Sequence, residues 1–351
     1  MNSADTWVHV LDAKVPRRAE TEDSLERDPP EEVAGTFSNF VSESGVIEFF
    51  TFGSTSSPKR VTKLLADLTG YAPLPPIFAL GYHYSKWDAT SAQILMERNE
   101  LFNANKYQVD VLWQDIEHTN KKQYFEFDES LYPAGSIGAL NIAIELDQRR
   151  LVVITDPHIR MHEDYPVYYN GSHYERESYG DPWIVAEEAR LASRTNQQDL
   201  TSIFVKSTSG QQFEGHCWPG QSVWFDFFNG HAQAYWKHLM EPEIFKGTNY
   251  LYNFWIDMNE PSVFDLPHVT MPLDNVHMTT KGDLILHRDV HNLYGSMMMK
   301  TAFDGLLERN FKLAATTDQN GGVDGVLRPF ILTRSFFIGS QKFGAYWTGD
   351  N

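Results

Sequence analysis

Four aspartates in this sequence, Asp115, Asp156, Asp257 and Asp350, each stand just beyond a short apolar run. In three of the four a tryptophan lies two or three residues ahead: Trp113 before Asp115, Trp255 before Asp257 and Trp347 before Asp350. A fifth apolar run, Pro329-Phe330-Ile331-Leu332, ends at Arg334. Carboxylates that accept hydrogen bonds from hydroxyl groups, next to aromatic planes that cover apolar C–H faces, suit a sugar pocket. Glycoside hydrolysis then draws on two of the carboxyl groups, one as nucleophile or base and one as acid, and requires neither metal nor cofactor. Taken singly, each aspartate also reads as a turn or helix-capping residue and each tryptophan as core filler. Their joint occurrence at four run ends favours a site.

A second chemistry uses some of the same residues. Asp115, Glu117, His118, Asp156, His158 and His162 have the side-chain types of a metal-dependent barrel hydrolase. Their spacing matches no strong ligand pattern such as H-E-x-x-H, so His118 and His158 read instead as hydrogen-bonding or solvated loop histidines.

The elements that would carry these residues are short and apolar. The runs 77–82, 109–113, 151–154, 250–256, 329–332 and 343–347 suit strands buried on both faces of a parallel sheet. Helical stretches lie between them at 91–102, 138–148, 231–240 and 292–307. The alternation predicts βαβ units in a barrel or in an open doubly wound sheet, with ligands at the carboxyl ends of the strands. Six strands are counted, where a closed barrel needs eight. Some 60 residues between Asp156 and Trp218, rich in Tyr, Ser, Glu and Gln, read as a loop excursion. Ahead of the barrel pattern, Trp7 to Leu11 reads as a strand and residues 37–53 as two strands joined at Ser44-Gly45. An amphipathic helix is expected from Pro58 to Leu68. The charged segment around residues 17–36 reads as a disordered loop.

Composition excludes several classes. The chain has 351 residues, a formal charge of −18 and no Lys/Arg-rich run, so a nucleic-acid partner is a poor fit. Its 23 Phe, 16 Tyr and 9 Trp are too many for a disordered chain. The one cysteine, Cys217, excludes an internal disulfide framework and a cysteine-cluster metal site. No apolar stretch is long enough to span a bilayer, and the N-terminus lacks the pattern of a signal peptide. Asn170-Gly171-Ser172 is a glycosylation sequon with Asn170 as the candidate acceptor.

The run Trp255-Ile256-Asp257-Met258-Asn259-Glu260 resembles the active-site motif of glycoside hydrolase family 31, the retaining α-glucosidases and their relatives. LGYHYSKW (80–87), VDVLWQDIEH (109–118), VVITDPHI (152–159), GHCWPG (215–220), HRDVHNLYG (287–295) and RPFILTRSFFIGSQKFGAYWTGDN (328–351) agree in order. The phrases DIEH and HRDVHN are most similar to the glucosidase II branch of that family. The resemblance implies a (β/α)8 barrel of TIM type behind an N-terminal β-sandwich. It implies Asp257 as nucleophile and Asp350 as general acid/base within a low-dielectric wall, and it has Asp115 and Asp156 accept hydrogen bonds from the sugar. Arg334 would donate to substrate and carboxylates, and Trp218, Trp255, Trp347, Ile154 and Met258 would form the apolar wall. It further implies α-1,3-glucose trimming of N-glycans, no cofactor, a β subunit as partner and the endoplasmic reticulum lumen as location. The expected domains are a sandwich remnant over 1–57 and an incomplete barrel of about six strands over 58–351, with a polar insertion at about 160–214. Because the chain ends at Asn351, directly after the sixth strand, the expectation is a truncated fragment, inactive and aggregation-prone by itself. The alternative is a catalytically inactive carbohydrate-binding homologue.

Overall fold

The computed structural model describes residues 7–16, 32–41, 48–173, 203–279, 281–317 and 327–350, and its contacts divide the chain into units 1–50 and 51–351. In the first unit Trp7–Pro16 pairs antiparallel with Glu32–Val41, in a register that sets Trp7 opposite Val41 and Pro16 opposite Glu32. This differs from the sequence expectation in two ways. The strand at 37–41 pairs with an upstream strand, and residues 48–53 form no strand; the expected turn at Ser44-Gly45 lies outside the described residues. Residues 32–36, which composition assigns to the acidic loop, belong to the strand; 17–31 lie outside the described residues.

The second unit is built on one parallel sheet of six strands, in chain order from edge to edge: β1 (His83–Tyr84), β2 (Val111–Gln114), β3 (Arg150–Thr155), β4 (Tyr252–Ile256), β5 (Ile331–Thr333) and β6 (Ala345–Tyr346). Neighbours in sequence are neighbours in the sheet, as in an incomplete (β/α)8 barrel, and β1 and β6 each keep one edge without a strand partner among the described residues. Helices α1 (Pro58–Thr69), α2 (Ala92–Ala104), α3 (Ala134–Leu146), α4 (Gly230–Leu239) and α5 (Tyr294–Thr317) complete the alternation. Ser57, Ser91 and Asn229 cap α1, α2 and α4 with their side-chain oxygens.

Only the first strand departs from the apolar runs. Residues 77–80 form a 3-10 turn, with Ile77 and Leu80 84% and 70% exposed, and pairing begins at His83. Pro75-Pro76 is the reason: neither offers an N–H to a ladder, and Pro76 at φ −61° starts the turn.

Alternate residues along the strands face two cores. Leu112, Leu151, Val153, Phe254 and Ile331 belong to the large core shared with α2, α3, α4 and α5. Val111, Trp113 and Val152 form a smaller cluster with Phe330, packed by Trp255, Leu332 and Ala345. Two insertions elaborate the carboxyl ends of the strands. After β2 comes a hairpin, Thr119–Asn120 with Gln123–Phe127, and after β3 a three-stranded antiparallel sheet of His158–Arg160, Gly220–Trp224 and Gly215–Cys217. Of the expected polar insertion at 160–214, residues 174–202 lie outside the described residues.

Candidate active site

Strand register assembles the site. Ile256 of β4 pairs with Thr155 of β3 on one side and with Thr333 of β5 on the other, while Thr333 pairs with Tyr346 of β6. The next residue along each strand is therefore Asp156, Asp257, Arg334 and Trp347, four chemically active positions in one row, with adjacent strands about 4.8 Å apart. The ladder continues one step past β5, where the Arg334 N–H donates to the Ile256 carbonyl at 3.1 Å.

Arg334 is the hub of the charges. Its Nε and Nη2 donate to Glu260 Oε1 at 2.8 Å and Oε2 at 3.0 Å, a bidentate pair. Nη2 also lies 2.8 Å from Met258 Sδ and 3.3 Å from Ser262 Oγ, and Nη1 donates to Asp350 Oδ2 at 3.3 Å. Nε is 3.1 Å from Asp257 Oδ1, yet its proton is directed at Glu260. Asp257 Oδ1 thus keeps an ion-pair contact without a directed hydrogen bond, buried. Met258, at φ +57°, turns the chain directly after Asp257 and brings Glu260 back beneath the guanidinium.

Burial dominates the electrostatics. It pushes the Asp257 carboxyl up to about 6, against the pull of Arg334 and the Met258 N–H. Asp156, fully buried, is raised well above the ordinary carboxyl range, first by burial and then by the charge of Asp257. Asp115 is also raised by burial, partly offset by the Ile116 N–H that its Oδ1 accepts at 2.7 Å; the capping reading therefore holds for this aspartate. Burial works to raise Glu260 too, but the hydrogen bond and charge of Arg334 overcome it and hold this carboxyl below its ordinary value.

Asp350 occupies a different setting. It lies beyond β6 at φ +63°, reaches Arg334, and its side chain is 71% exposed, so the low-dielectric wall expected around it is not in place among the described residues. Gly349 before it is constrained, since a Cβ there would meet the Trp347 ring at 2.5 Å.

The aromatic residues fall into two groups. Trp113, Trp255 and Trp347, from the ends of β2, β4 and β6, form a row with ring centroids 5.5 Å and 5.8 Å apart, both edge-to-face. Contribution from alternate strands is the layering of a barrel interior. Trp218 is 42% exposed and packs instead with Phe264 at 5.0 Å and Trp87 at 6.5 Å. Ile154 is buried in the large core, and Met258 is buried against Arg334. Asn170 is exposed on the short helix Pro166–Ser172.

Residues to which the sequence assigns no role in the sugar site also matter here. Glu260 was legible only as part of its motif, although its position three residues after Asp257 placed it within reach. Asn259 is fully buried, donates to Thr333 Oγ1 at 2.8 Å and accepts from the Ser335 N–H at 2.9 Å, tying the end of β4 to the end of β5. Tyr124, on the hairpin after β2, donates its hydroxyl to Asp156 Oδ2, and His158 is buried beside the same carboxylate with its Nε2 3.6 Å away. Burial lowers His158 to about 3 and His118 to about 4, so both are neutral interior groups rather than solvated loop residues. Among the described residues no three of His, Cys, Asp and Glu converge as metal ligands, which leaves the metal-hydrolase reading without a ligand set there.

The model of the Glycosyl hydrolases family 31 TIM-barrel domain matches residues 72–351. The chain is 35% identical over 355 residues to neutral alpha-glucosidase AB of Mus musculus, covering 100% of this chain and 32% of that protein. It is 35% identical over 316 residues to neutral alpha-glucosidase C of Macaca fascicularis, covering 90% of this chain and 35% of that one. Among solved structures, the catalytic subunit in the ER glucosidase II heterodimeric complex superposes with a TM-score of 0.71 at 33% identity, covering 100% of this chain and 32% of that chain. The chain thus spans about a third of the length of these relatives.

Proposed function

Because the chain belongs to glycosyl hydrolase family 31, we propose that it is a retaining α-glucosidase, or the part of one that carries the catalytic carboxylates. The observation that carries this reading is the shared guanidinium: Arg334 contacts both Asp257 and Asp350 from the strand between theirs. Asp257, with an oxygen that receives no directed hydrogen bond, is the nucleophile on the anomeric carbon. Asp350 protonates the leaving oxygen and then, as base, activates the water that hydrolyses the glycosyl-enzyme. Asp115 and Asp156 accept hydrogen bonds from the sugar in the cleaved-bond subsite. Arg334 orients both carboxylates, and Trp255 and Trp347, with Trp218 nearer solvent and Ile154 and Met258 behind, limit the pocket.

A finer version belongs to the same proposal: removal of α-1,3-linked glucose from N-glycans in the endoplasmic reticulum lumen, with a regulatory β subunit as partner and Asn170 as a glycosylated surface residue; the name of the ER glucosidase II complex, with its regulatory subunit, supports the location and the partner. The division into a sandwich remnant over 1–57 and a partial barrel over 58–351 belongs to the same proposal, supported by the contact boundary near residue 50 and the family match from residue 72. The exposure of Asp350 favours the second reading, carbohydrate binding without cleavage.

The test is release of glucose from an aryl α-glucoside, with NMR of the first anomer formed. The proposal expects α-glucose first and a loss on the order of 10³-fold or more in kcat for Asp257→Asn. Binding of glucose by a chain that cleaves nothing would support the second reading in its place.

A further inference from the structure

We propose that Tyr124 is a positioning residue of the sugar site: its hydroxyl holds one oxygen of Asp156 and thereby reserves the other for a hydroxyl of the bound glucose. The inference rests on the reading of Asp156 given above. Tyr124 is fully buried on the strand Gln123–Phe127, which is not part of the barrel sheet, and it donates to Asp156 Oδ2. Asp156 Oδ1 is also buried and has no hydrogen-bond partner. His158 flanks the pair, with Nε2 3.3 Å from the Tyr124 oxygen and the two rings edge-to-face at 5.4 Å. The Tyr165 hydroxyl donates to the Tyr124 carbonyl at 2.6 Å.

The physical reason concerns the two-fold torsion of an aspartate. The terminal torsion of a carboxylate is broad and its two oxygens are interchangeable, so an unheld Asp156 could offer either oxygen in many orientations. An O–H···O bond from the phenol removes that freedom on one side. The opposite oxygen is then left desolvated and unpaired, a cost recovered when a ligand hydroxyl donates to it. The arrangement is that of an acceptor set in advance, with the cost of orientation met in folding rather than in binding.

A positioning role predicts lost discrimination, whereas a merely structural one predicts a general loss. In the full chain, kcat and KM are measured for an aryl α-glucoside and its monodeoxy analogues. The wild type is expected to lose roughly 10- to 100-fold in kcat/KM on the analogue that lacks the hydroxyl held by Asp156. In Tyr124→Phe that loss shrinks to within about threefold while discrimination against the other analogues stays. Adding Tyr124→Phe to an Asp156→Ala chain produces no further change in that discrimination, because the group it positions is already gone. Tyr165→Phe, which removes a buried hydroxyl from the same cluster, lowers the melting temperature and leaves the discrimination intact. The proposal is overturned alone if the wild type cleaves α-glucosides and Tyr124→Phe discriminates as the wild type does, or if its effect is equal in the Asp156→Ala background. A wild type that cleaves no α-glucoside overturns it together with the reading of the site.

Discussion

Arg334 must serve three carboxylates with one guanidinium, and the division is unequal: Glu260 receives two directed bonds, Asp350 one, and Asp257 an ion-pair contact alone. Glu260 therefore takes much of the positive charge that would otherwise keep Asp257 ionised at low pH. The Asp257 carboxyl, lifted to about 6 by burial, must be ionised to attack. The acid limb of kcat/KM is accordingly expected to fall below pH about 6. Glu260→Gln removes a negative neighbour that raises Asp257 and frees Arg334 toward it, so the limb should move to lower pH. A pH–rate profile checks both, and an unchanged limb in the variant would show that Glu260 does not set the charge state of Asp257. The chemical types at this scale were readable in the sequence, because aspartates and tryptophans followed apolar runs. The partition of Arg334 was not, because it depends on how Met258 turns the chain.

The ends of β4 and β5 are joined by Asn259 rather than by backbone alone. Its amide donates to Thr333 Oγ1 and accepts from the Ser335 N–H, and its carbonyl lies where a Cβ on Gly295 of α5 would meet it at 2.8 Å. Asn259→Ala removes the partner of the Ser335 N–H and leaves Thr333 Oγ1 with the Ser335 carbonyl alone, and it is expected to cost about 1–3 kcal/mol in denaturant unfolding, with kcat reduced as Asp257 and Arg334 lose their common anchor. A stability within about 0.5 kcal/mol of wild type would show that the strands hold this register without it. Helices and interior strands were legible element by element, since their apolar periodicity is strong. The first strand was displaced by Pro75-Pro76, a local constraint that outweighed the apolar run after it. The N-terminal pairing was invisible for a different reason: Glu32–Val41 finds its partner across an intervening segment, and no turn signal in sequence marks a contact of that range.

On the scale of the whole molecule, the six-stranded sheet has two edges without strand partners among the described residues, and Leu74, Ile77 and Leu80 are 78%, 84% and 70% exposed. Exposed apolar residues beside open strand edges favour association. The isolated 351-residue chain is expected to bind an apolar dye and to elute in light scattering above its 40.3 kDa monomer mass at micromolar concentration. Ile77→Lys with Leu80→Lys should reduce both, and a monodisperse wild-type monomer would refute the expectation. What the sequence determined by itself was the inventory: apolar runs long enough to be strands, all but the first closed by a carboxylate or an arginine, because burial and side-chain chemistry are properties of residues and their near neighbours. What only the tertiary structure decided was the register. Pairing Ile256 with both Thr155 and Thr333 puts Asp156, Asp257 and Arg334 side by side, and a slip of one residue would turn each of them to the opposite face of the sheet. Register is set by hydrogen bonds between strands far apart in the chain, and it is those bonds that turn separate charged residues into a site.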